Sequence, residues 1–171
     1  MCNMSSVNER LRIPLADEYA LALGRATYCF ASCEWIVVWC WERLAANALH
    51  DATSGGRRGK GLTAGQIADQ FAKAVDEATD APERESLRQR AAEFKDLVEV
   101  RNSLLHGKPH TSDEGWQGLH GRGHGSWSIA DINAAADRFA ACTIALNDRT
   151  TARSSSTTPN GNFALLAPPT D

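Results

Sequence analysis

"LVEVRNSLLHGKPH", residues 97–110, reads as the end of a helix: apolar side chains at helical spacing, then Gly107, a natural C-cap, and Pro109, which forbids continuation. It completes a stripe of Leu87, Ala91, Phe94, Val98, Arg101 and Leu105, separated by 4, 3, 4, 3 and 4 residues. That alternation keeps one face of a helix toward a core. Pro82 and the acids Glu83 and Glu85 suit the start of the same helix. One member of the stripe, however, is an arginine, and a histidine follows five residues later. A charge on an apolar stripe costs free energy unless it is paired, or near solvent at an interface.

Working outward, a first helix is expected from about Pro14 to His50, with Gly24 as a possible bend. Between Tyr28 and Leu44 it is apolar on most faces, so it should be central. Thr63 and Gln66 have the spacing of a capping box. Ile67, Phe71, Ala74, Val75 and Ala78 then line a second helix, which "TDAP" (79–82) breaks. Residues 110–127, rich in Gly, His and Trp, make a loop or a short hairpin insert. Ser128 caps a last helix striped by Ile129, Ile132, Ala136, Phe139, Thr143 and Leu146. Beyond residue 150 the chain is Ser/Thr/Pro-rich, as disordered tails are. The expectation is an all-α fold: one helical domain over residues 1–150, a four- to five-helix antiparallel bundle, and a tail over 151–171.

The chain has 171 residues, enough for one domain with a real core, and a formal charge of -3. No global field pulls it toward nucleic acid, so any such contact needs a local patch. There are five cysteines and no CxxC. Cys29, Cys33 and Cys40 fall on one helical stripe and read as small buried hydrophobes in a reducing compartment. An apolar helix raises thiol pKa values, which disfavours a cysteine-based enzyme. The start, "MCNMSSVNERLRIP", lacks a basic segment followed by an apolar one. "ATYCFASCEWIVVWCW" (26–41) contains Glu34 and is shorter than the roughly 20 residues of a membrane span. A cytoplasmic protein with no membrane contact is expected.

Two simple roles suit the unusual pair. Arg101 can pair with Glu34, the only charge between Arg25 and Glu42. His106 can cap the helix C-terminus, where the backbone partial charge favours imidazolium. Asn102 and His106, four apart, share a face.

"RNSLLHG" (101–107) also resembles the signature of the HEPN superfamily (higher eukaryote and prokaryote nucleotide-binding domains): Arg, a polar residue, three more positions, then His near the end of a helix. Arg101, Asn102, His106 and Gly107 match it, and the order of helices over residues 14–150 is similar. The resemblance implies four or five helices, a homodimer, and a metal-independent endoribonuclease without cofactor, of the toxin or defence type. It also implies a possible antitoxin-type protein partner of the nucleotidyltransferase kind. Other members are inactive interaction or nucleotide-binding modules, so the resemblance leaves that second function open.

Elementary geometry favours a shared site. Five positions along a helix turn Arg101 and His106 about 140° apart and separate them by about 7.5 Å. One chain cannot easily aim both at one phosphate; two copies about a twofold axis would surround a cleft with both pairs. The end of the stripe carrying Arg101 would then be the interface. His106 would move the protons of a 2′-OH transesterification, Arg101 would hold the phosphate, Asn102 would orient His106 or the sugar, and Glu34 would orient Arg101. Lys108, Arg122 and His124 around "HGRGHGSW", and Arg57 and Arg58 in the Gly-rich loop 51–62, are further candidates for RNA contact. Trp116 or Trp127 would stack on a base, or pack on the bundle. His106/His110 and His120/His124 form two HxxxH pairs, but glycines and Pro109 break the helix that such a metal site needs. No metal is expected.

Overall fold

In the computed structural model the described residues are 13–49, 61–77 and 81–154. They form helices α1 (Asp17–Leu49), α2 (Ala64–Glu77), α3 (Ala81–Leu105) and α4 (Ile129–Ser154). Between α3 and α4 lie strands β1 (Lys108–Thr111), β2 (Gln117–Gly121) and β3 (Gly125–Trp127), an antiparallel meander in that order. The protein is mostly helical with a small sheet, so the insert expected as a loop or hairpin is a three-stranded unit. The last helix runs through Ser154, past the boundary at 150 that composition suggested.

The helix starts follow their caps. The Thr63 amide donates to Gln66 Oε1 (2.9 Å) and the Gln66 amide to Thr63 Oγ1 (3.3 Å), the reciprocal capping box. Ser128 and Asp131 repeat it at α4, where the Asp131 amide donates to Ser128 Oγ (3.1 Å) and the Ser128 amide to Asp131 Oδ2 (3.1 Å). The Ser128 hydroxyl also donates to Asp131 Oδ2 (2.6 Å), and this bond, with that from the Ser128 amide, holds the Asp131 carboxyl below the usual carboxylate range.

The centre of the core is aromatic. Phe30 of α1 stacks with Phe94 of α3 (centroids 6.1 Å apart) and meets Phe139 of α4 edge-on (5.2 Å). All three are buried, each contributing roughly 1.5–3 kcal/mol of burial. The α3 stripe is largely as its spacing predicts, with Ala91, Phe94 and Val98 buried, but Leu97 and Leu104 are buried as well. The α3 face therefore packs within its own chain.

Contacts along the helices set their directions. Asp69 pairs with Lys95 (2.8 Å) and Asp76 with Arg88 (2.6 Å), so α2 runs antiparallel to α3. Tyr19, Phe30 and Cys33 of α1 meet Trp127, Phe139 and Cys142 in turn, so α1 and α4 run the same way. The bundle is thus not antiparallel throughout, as short connections would have made it. The segment 108–127 returns the chain to the end from which α1 starts, and α4 retraces its direction.

Tyr19 ties that end together. Its hydroxyl donates to the Trp127 carbonyl (3.1 Å) and accepts from the Leu119 amide (3.0 Å), linking α1 to β3 and β2. The stretch Asp17–Leu44 of α1 is long and apolar enough to cross a membrane by length and composition, although the 26–41 segment looked too short. Its inner face forms the bundle core.

Candidate functional site

Arg101 lies one turn before the end of α3 and is half-buried. Its Cζ sits 5.4 Å from the centre of the Phe30 ring, at the edge of the aromatic core. Its Nη1 donates to Asn102 Oδ1 (3.0 Å), while its buried Nε has no acceptor among the described residues. Glu34 is nearby on α1. Burial raises the Glu34 carboxyl above its ordinary range, and the Arg101 charge opposes that rise without cancelling it. Among the described residues no ion pair joins the two. The expectation that Glu34 orients Arg101 therefore reduces to an electrostatic neighbour; the orienting bond comes from Asn102.

His106 follows the last helical residue and is exposed. Its amide still donates to the Asn102 carbonyl (3.1 Å), so it remains in helical register. Asn102 meets His106 through its backbone and Arg101 through its side-chain oxygen, so of its two expected roles, orienting His106 or the sugar, the side chain makes no bond to the imidazole among the described residues.

The sheet is pressed against this end of α3 by close approach. Gly107 does not take the left-handed conformation of a C-cap glycine. A Cβ there would lie 3.1 Å from both the Leu104 carbonyl oxygen and Leu119 Cβ, so its missing side chain makes room for β2. At Gly121 a Cβ would lie 2.7 Å from the Ser103 carbonyl oxygen and 2.3 Å from Trp127 Nε1. Ser103 Oγ donates to the Arg122 carbonyl (3.0 Å), pinning the β2–β3 turn to the helix. The helix end bearing Arg101 and His106 is thereby made rigid.

The other candidates fall in three places. Lys108, His120 and Ser126 are paired across the three strands, with His110 next along β1 on the same face. His110 Nε2 lies 2.6 Å from Ser126 Oγ, and the His110 ring meets Trp116 edge-on (5.3 Å) and His120 at 5.8 Å. The histidine neighbours are thus His110 and His120 across strands, not the HxxxH pairs; among the described residues no three His, Cys, Asp or Glu side chains form a metal-holding group. Arg122 is exposed in the β2–β3 turn. His124 stacks on Trp127 (3.7 Å, 15°), and its Nε2 is 4.0 Å from Asp131 Oδ2. Trp127 is buried, which removes it as a base-stacking residue, whereas Trp116 is 38% exposed. Arg57 and Arg58 lie outside the described residues.

Of the four described cysteines, three behave as core and Cys29 is half-buried. Cys33, Cys40 and Cys142 are buried and free. The bond to Cys142 and burial push the Cys33 thiol up, and burial pushes Cys40 up to about 12.

Sequence reading missed Phe30, Ser103 and Tyr19, which position the site. No local signal marked them, because each acts on a residue distant in the chain. No family model, curated protein or solved structure matches the chain.

Proposed function

We propose that the protein is a metal-independent endoribonuclease of the HEPN type, working as a homodimer and acting as a toxin or defence effector. The observation that carries the reading is the state of Arg101. It is a half-buried guanidinium held by Asn102 and Phe30, with a buried N–H that lacks an acceptor. An exposed imidazole stands at the same helix end. A cation kept partly out of water and without an ion-paired carboxylate is suited to an external anion, and guanidinium geometry matches a phosphodiester.

In the proposed reaction a neutral His106 takes the proton of a ribose 2′-OH. The 2′-oxygen attacks phosphorus, and the P–O5′ bond breaks. The leaving 5′-oxygen takes a proton from the protonated His106 of the second copy. Arg101 stabilises the charge that builds on the phosphoryl oxygens. The products are a 2′,3′-cyclic phosphate and a 5′-hydroxyl, and DNA is spared because it lacks the 2′-OH. In this reading Lys108, Arg122, the His110/His120 face and Trp116 would contact the flanking RNA.

The test is incubation of purified protein with mixed RNAs in chelator, beside His106→Ala. Cleavage by the wild type alone, leaving cyclic phosphate ends, is expected. Equal cleavage by folded His106→Ala refutes the assignment. RNA or nucleotide binding without turnover would favour the inactive binding module instead.

A further inference from the structure

The apolar face of α3 is covered by its own chain, yet a second stripe with the same spacing faces water. Leu21, Gly24, Tyr28, Ala31 and Trp35 of α1 are separated by 3, 4, 3 and 4 residues and are all exposed. Leu21 is 56% exposed, Tyr28 75% and Trp35 64%. At 3.6 residues per turn the five fall within an arc of about 80°, roughly opposite the buried Ala26, Phe30, Cys33 and Val37. None is charged. Two large aromatics and a leucine in one uncharged stripe mark an interaction surface.

We propose that this stripe is the interface between two copies of the chain, α1 packing antiparallel on α1 about a twofold axis between residues 29 and 30. The choice of a second copy comes from the order of sizes. Positions 21, 28 and 35 are large; positions 24 and 31 are small. In an antiparallel seam the two kinds of position face each other, so Gly24 receives the second copy's Trp35. The same axis then sets Tyr28 over the second copy's Ala31. One symmetric register thus seats every aromatic of the stripe on a small residue, which an isologous interface requires. A parallel pairing would set Trp35 on Trp35 and Gly24 on Gly24, alternating collision with void.

The space for this packing is present. A Cβ at Gly24 would meet nothing within 4 Å. Gly24 lies in a groove of about 710 Å³ between α1 and α4, with Ala20, Leu21, Tyr28 and Ala140 among its walls. Buried aromatics cover on the order of 150–250 Å² each. Tyr28, Trp35 and Leu21 together supply roughly half of the ~800 Å² per partner of a standard interface. Ile144 of α4, 58% exposed and one turn beyond Ala140, extends the same side.

The consequence for catalysis, unlike the seam itself, rests on the ribonuclease reading. A twofold axis across two antiparallel helices keeps like flanks on the same side. Arg101 lies over Phe30, on the face of α1 turned away from the stripe, so this seam leaves the two Arg101 sites on outer faces of the pair. Pairing through α1 would thus hold two copies together without bringing the two sites to one phosphate, and a shared site would need a further contact between α3 ends.

The test is the solution mass of the full chain by light scattering or sedimentation, for wild type, Gly24→Leu and Trp35→Ala. Leucine at 24 has open room within one chain and suits a helix better than glycine, so the fold should persist by circular dichroism. Wild type is expected at twice the 18.5 kDa chain mass, with each variant dissociating at least tenfold more readily. A monomeric wild type, whatever then covers the stripe, overturns the proposal, as does a dimer that both variants leave unchanged. RNA cleavage is scored separately. A wild-type dimer that cuts no RNA ends the nuclease reading and keeps the seam, and a monomeric Gly24→Leu cutting at the wild-type rate ends the shared site alone.

Discussion

Arg101→Met separates a residue kept for function from one kept for folding. The buried Nε without an acceptor costs about 1–3 kcal/mol. Against it stand the contact with Phe30, worth about 0.5–2 kcal/mol, and the bond to Asn102, worth about 0.5–1.5 kcal/mol. Methionine is similar in length and keeps a sulfur–aromatic contact of about 0.3–1.5 kcal/mol. The terms nearly cancel, so stability should change by no more than ~1 kcal/mol. Breaking a buried ion pair would instead cost about 3–5 kcal/mol. In a chain of this length 1 kcal/mol moves Tm by about 2–4 °C. Thermal unfolding followed at the helix band should therefore shift by less than ~4 °C. RNA cleavage should fall by about 10²–10³-fold, the typical loss of one donor to transition-state charge. A Tm drop beyond ~8 °C would show that Arg101 is structural and would remove the argument for a waiting anion.

Gly121→Ala should destabilise by about 2–4 kcal/mol, because its Cβ would press on the Ser103 backbone oxygen and disturb the Ser103–Arg122 bond; a urea midpoint equal to wild type contradicts the close approach. Glu34→Gln should be at least as stable as wild type at pH 7.5. Burial raises the folded-state pKa above the ordinary 4.5, so ionisation opposes folding at neutral pH and that cost fades as pH falls through the folded value toward 4.5. Stability of the wild type should rise over that window and the variant should flatten it, whereas a loss at pH 7.5 would reveal a stabilising Glu34–Arg101 pair. Thr63→Ala should cost about 1 kcal/mol through the lost α2 cap, read as a lower Tm; an unchanged Tm would mean that α2 is held by packing alone.

The sequence by itself determined the helices, though not the three strands between α3 and α4. Periodicity marked all four helices, Thr63–Gln66 and Ser128 marked two starts, and the Arg101–His106 stretch stood out because a charge interrupts an apolar repeat. These signals are legible because helix geometry and capping depend on residues three or four apart. Only the tertiary structure decided the rest. It turned Gly107 from an expected cap into a clearance for β2, buried Trp127 under His124, and gave the Asn102 amide to Arg101 rather than His106. It also covered the α3 stripe within the chain while leaving the equally regular α1 stripe facing water. Spacing shows that a helix has an apolar face; which face meets which depends on helix direction and on contacts such as Tyr19 with Leu119, a hundred residues apart, which no local pattern encodes.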